Sequence, residues 1–137
     1  MLLSSVVCPG GQGDVSLIGN LLIMSVQETR GRLDCGLAGV PEPVSGDRIQ
    51  GIRIFDVSDF SMPLQVGAVQ TCRGSHTHTV VGPPDQDNIA YVYVSGTSRV
   101  RDDEELLGCS DDSPFENPES ALFRIELIEI PMDRPQD

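Results

Sequence analysis

Short runs of β-branched and aliphatic residues, broken every few positions by Gly, Pro, Asn or Asp, constrain this chain more than any other feature. A helix needs apolar residues recurring every three or four positions over ten or more residues, and no stretch here sustains that. The best helical candidate, Asp102–Leu107, is a short acidic turn. Strand patterns are frequent instead. Val15–Ile18 and Leu21–Val26 flank Gly19-Asn20, a pair suited to a two-residue hairpin. Gly51–Val57 alternates Ile52 and Ile54 with Arg53 and Phe55, so these pairs face opposite ways. Strands are expected at Leu64–Thr71, His76–Val81, Ile89–Ser95 and Ala121–Ile130, followed by a polar tail, 131–137. The class is all-β and antiparallel.

Two polar inserts, 27–50 and 96–120, interrupt this pattern, and each is longer than an ordinary connection. Charge excludes some partners. The 137 residues carry 21 acids against 9 bases, all Arg, for a net charge of −12. Such a chain lacks the basic stripe that a phosphate backbone demands, so no nucleic acid is expected as a partner. No apolar run reaches the ~18 residues of a membrane span. The N-terminal apolar run is too short for a signal and lacks a basic flank; any export signal is expected outside these residues.

The pattern repeats. Hairpin 15–26, insert, strand, a turn with Pro63 and a further strand recur as hairpin 76–95, insert, strand and a turn with Pro135. In this alignment Ile52-Arg53-Ile54 corresponds to Phe123-Arg124-Ile125. Four antiparallel strands per unit is the construction of a propeller blade. Gly51-Ile-Arg-Ile-Phe-Asp-Val-Ser-Asp59, then Pro63 and Val66-Gly67, resembles the pattern of LVIVD-repeat β-propeller proteins. Gly19-Asn20-Leu-Leu-Ile-Met24 fits the hairpin of that family. The match covers about residues 14–96; in the second unit Glu126-Leu-Ile-Glu129 stands in place of Asp-Val-Ser-Asp.

The resemblance implies an exported bacterial protein and an incomplete β-propeller of about two blades. The blade-like units span 8–71 and 72–137 of a single partial domain. A propeller needs roughly four to eight blades, so the remaining blades or other copies of the chain are the expected partners. Open sheet edges also admit a subunit of an extracellular assembly whose strands add to neighbours.

Four cysteines without a C-x-x-C pair favour disulfides in an extracellular or periplasmic setting over a zinc ribbon. Three pairings are possible. In a blade, the entry to the first strand and the loop between strands two and three emerge on one face. Cys8 and Cys72 precede first strands, and Cys35 and Cys109 lie in the inserts. Blade geometry thus implies Cys8–Cys35 and Cys72–Cys109.

Candidate chemistry is sparse. His76 and His78, two apart on an expected strand, would share a face and suit Zn or Cu, with further ligands from other blades or from Asp102, Asp103 or Glu104. The plainer reading is a pair of hydrogen-bonding histidines in a wet channel. A tetrahedral zinc centre of Cys72, His76, His78 and Cys109 has suitable ligand types but leaves Cys8 and Cys35 unexplained. Asp102, Asp103, Glu104, Glu105, Asp111 and Asp112 form an acidic loop, read either as a solvated face or as oxygen ligands for Ca²⁺. Asp56 and Asp59 are expected to bond turn N–H groups, and Tyr91 and Tyr93 to pack on a neighbouring sheet. No nucleophile elbow or phosphate-binding loop is present. The leading functional expectation is a non-catalytic binding or structural module. The alternative is a fragment of a metal-dependent enzyme, such as an oxidoreductase, using His76 and His78.

Overall fold

The computed structural model describes residues 1–11 and 13–137. Among them there is no helix, and the chain forms two antiparallel sheets. The first has four strands in the order β1 (Val15–Ile18), β2 (Leu21–Val26), β3 (Gly51–Asp56) and β4 (Leu64–Gln70). The second has three: β5 (His78–Val81), β6 (Ile89–Val94) and β7 (Glu126–Pro131).

Local chemistry explains the boundaries. Ile18 pairs directly with Leu21, leaving Gly19 and Asn20 to reverse the chain, and Gly19 adopts φ +56°. Asp56 accepts the Ser58 N–H at 2.8 Å and Asp59 accepts the Ser61 N–H at 2.8 Å, closing the β3–β4 turn. Asp85 accepts the Ile89 N–H and the Tyr91 hydroxyl, organising the β5–β6 loop. Gly51 opens β3 at φ +147°, where a Cβ would collide with the Val69 carbonyl.

The sheets pack face to face. Ile23, Ile52 and Ile54 of the first meet Val92, Val94, Ile128 and Ile130 of the second in one buried cluster. Burying each such side chain contributes about 2 kcal/mol. The opposite face of β3 is covered as well. Arg53, fully buried, donates to the carbonyls of Pro9, Arg32 and Leu33 and to Gln65 Oε1, which holds the 27–50 insert across the sheet.

Three expectations need correction. The strand expected from Ala121 starts only at Glu126. Residues 119–124 form a turn instead: Arg124 folds back onto the carbonyls of Glu119 and Ser120, Ala121 N–H donates to Ser110, and Phe123 takes φ +60°. Phe123-Arg124-Ile125 therefore precedes its strand, whereas Ile52-Arg53-Ile54 lies within one, and the proposed correspondence fails. His76 likewise lies in a bend before β5, not on it.

Candidate functional site: the cavity between the inserts

The two inserts meet. They enclose an open cavity of about 880 Å³ to which Thr29–Gln50 and Arg99–Glu119 contribute every lining residue. Neither insert has regular structure beyond one bridge between Arg32 and Arg48, so side chains must hold them. The disulfides do part of this. Cys8 is bonded to Cys35 and Cys72 to Cys109, with Cα–Cα distances of 4.4 and 5.3 Å. These are the pairs that blade geometry implied. Each ties an insert to the segment leading into its own sheet.

A buried ionic network does the rest. Glu105 lies between Arg48 and Arg101, at 2.9 and 2.6 Å from their Nε atoms, and all three side chains are at least nine-tenths buried. The Ser45 N–H also donates to Glu105 at 2.7 Å. Arg48 donates onward to the carbonyls of Thr29, Glu42 and Pro43. Gln70, at the end of β4, accepts from Arg101 and donates to the Arg48 carbonyl at 2.7 Å. Burial pushes the Glu105 carboxyl up, but Arg48, the Ser45 N–H and Arg101 outweigh it and hold the group below the usual carboxylate range. The cavity floor is thus two arginines sharing one carboxylate.

The acidic loop expected from sequence does not act as one group. Glu105 is buried in that network rather than solvated. Asp102 Oδ1 accepts the Glu104 N–H, and Asp103 Oδ1 accepts the Gly108 N–H at 2.6 Å. Asp112 accepts from Ser110 and Asn117, while Asp111 and Glu104 are exposed. Asp102, Asp103 and Asp112 are thus each spent on separate local bonds. Among the described residues, no three His, Cys, Asp or Glu side chains gather as a metal site would require.

The histidines also separate. His76 is exposed and His78 is buried, so they do not share a face. The S₂N₂ zinc centre fails because the Cys72 and Cys109 sulfurs are bonded to each other. His78 joins a hydroxyl chain. Ser75 Oγ donates to the Thr77 carbonyl at 2.9 Å, so it accepts from Ser25 Oγ at 2.9 Å. Ser25 then accepts the Nδ1–H of His78 at 2.8 Å. That assignment leaves His78 Nε2 bare and buried, without a partner among the described residues.

Burial lowers the His78 pKa below its ordinary 6.5, and the charge of Asp14 opposes this only in part. The unfolded chain takes up a proton near pH 6.5 that the folded chain resists. The stabilising contribution is therefore present above that pH and lost below it. Glu126, raised above 4.5 by burial despite Arg124, works in the opposite sense, so the wild-type profile alone is ambiguous. His78→Gln is expected to flatten the fall in melting temperature between pH 7 and 5. Identical slopes in the two proteins would contradict this.

Residues missed from sequence are Arg48, Arg101, Gln70 and Ser25. A weak signal existed for Arg53, which shares a sheet face with the aromatic Phe55. Among the described residues, no helix is long and apolar enough to cross a membrane. The disulfides are compatible with an extracellular or otherwise oxidising environment. Comparison of the chain with protein-family models, curated proteins and solved structures finds no match.

Proposed function

We propose that the chain is a non-catalytic binding and structural module, two consecutive blade-like units of an exported β-propeller of the LVIVD-repeat type. It binds its partner at the cavity between the inserts. The observation that carries the reading is that cavity, built from both inserts and held by Glu105, Arg48 and Arg101. Binding sites are commonly carried by irregular segments fixed on a rigid β scaffold. The blade reading draws support from consecutive antiparallel strand order in both sheets and from the Gly51–Asp59 resemblance.

The rim carries Glu42, Asp102, Asp103, Asp111 and Glu119 against Arg30 and Arg99, so it suits a partner bearing basic groups. Titration with a tetralysine peptide, followed through backbone amide shifts, tests this. Shifts are expected at Glu42 and in residues 99–111, and they should vanish in Asp102→Asn/Asp103→Asn and at about 0.5 M salt. No shifts, or shifts confined to the tail 131–137, would remove the cavity as the site.

One observation favours the second reading, a metal-dependent enzyme fragment: the bare, buried Nε2 of His78. Its test is Zn²⁺ or Cu²⁺ titration monitored at the His78 ring. An unperturbed ring would end that reading.

A further inference from the structure

We infer that copies of this chain stack head to tail, the outer face of the β1–β2 hairpin of one copy seating on the outer face of the β5–β6–β7 sheet of the next. This goes beyond the binding reading and does not use the cavity.

The basis is the direction in which the two sheets already pack. β1 and β5 lie side by side. At their starts, Asp14 N–H donates to the His76 carbonyl at 3.0 Å, and Ser25, opposite Asp14, meets His78 at 2.8 Å. At their ends, a Cβ on Gly82 would lie 3.4 Å from Ile18 Cδ1. The two strands therefore run the same way. Strand order also runs the same way, because Ile54 and Val69 of β3 and β4 share a second cavity with Ile128 of β7. Sheets alike in strand direction and order are related by a shift, not by a two-fold axis. They must then use opposite faces, which makes the internal contact heterologous.

Each face used inside the chain has an unused counterpart. The face with Ile23, Ile52 and Ile54 corresponds on the second sheet to the face with Val81, Tyr93 and Leu127, which are 45%, 45% and 50% exposed. The face with Val80, Val92 and Ile128 corresponds on the first sheet to the face with Val15 and Leu17, 56% and 65% exposed, beside half-buried Leu22 and Met24. The hairpin face is apolar, the face of the second sheet is apolar apart from exposed Thr79 and Glu129, and both belong to a packing mode the chain has already adopted once. Over β3 the first sheet is occupied by the insert held on Arg53, so the new contact is confined to β1 and β2.

Sedimentation equilibrium over a range of concentrations tests this, using two surface variants, Leu17→Glu and Leu127→Glu. Wild type is expected to exceed the mass of one chain as concentration rises. Each variant keeps one good face, so each alone should self-associate about tenfold more weakly or worse. Their equimolar mixture should form a two-chain species and stop there. Circular dichroism and intact disulfides check that both variants fold. Three results would overturn the inference: wild type staying at one-chain mass throughout; Leu17→Glu associating like wild type, which would mean two-fold pairing through the second sheet; or variants that never pair with each other although wild type associates.

Discussion

Glu105→Ala is expected to cost about 3–5 kcal/mol in urea unfolding, more than any other single acid in the chain. The reason is asymmetry. Arg48 and Arg101 are each more than nine-tenths buried, and Glu105 is the carboxylate both contact. Removing it leaves two desolvated cations close together, with the Ser45 N–H also deprived of its acceptor. The neighbouring Glu104→Ala, at an exposed position, is expected to stay within about 0.5 kcal/mol of wild type. Replacing all three members of the network with Met should cost much less than removing Glu105 alone, because no buried charge is then unpaired. Equal effects of Glu105→Ala and Glu104→Ala would show that the ion network contributes nothing to the fold.

Loss of both disulfides is expected to unfold the protein. The bonds close loops of 27 and 37 residues in sequence separation. Restricting the unfolded chain in this way is worth about 3.5 kcal/mol for each bond. Together they match much of the stability available to a small domain, typically about 5–15 kcal/mol. Cys72→Ser/Cys109→Ser and Cys8→Ser/Cys35→Ser should each lower the melting temperature, and wild type with a thiol reductant should lose its cooperative transition. A reduced protein that melted as the oxidised one does would contradict the account. The two double variants differ in what else they release. Cys8–Cys35 anchors residues whose carbonyls satisfy Arg53, so its loss should also expose the buried guanidinium.

Much of the fold was legible because it rests on short-range chemistry. Val15–Ile18, Gly19-Asn20 and Leu21–Val26 form a hairpin as their alternation and turn residues require. Asp56 and Asp59 serve the turn they were expected to serve. The site was far less legible. Glu105 stands in a run of acids and reads as one more solvated carboxylate. Its partner Arg48 is 57 residues away, and nothing local announces the pair. Arg124 shows the same limit from the other side. Residues 121–125 have strand composition, yet the guanidinium draws the chain into a turn by bonding the carbonyls of Glu119 and Ser120.

The sequence by itself determined the all-β class, most strand positions, the alternation of faces and an acidic, lysine-free surface. Each follows from backbone preference or from a count of charges, and neither depends on where the chain goes next. Only the tertiary structure decided that the two inserts meet over a common cavity, that Glu105 is buried while Glu104 is not, and that His76 and His78 part company. Burial and ion pairing are set by residues distant along the chain, and these become neighbours only when the two sheets close on their shared core.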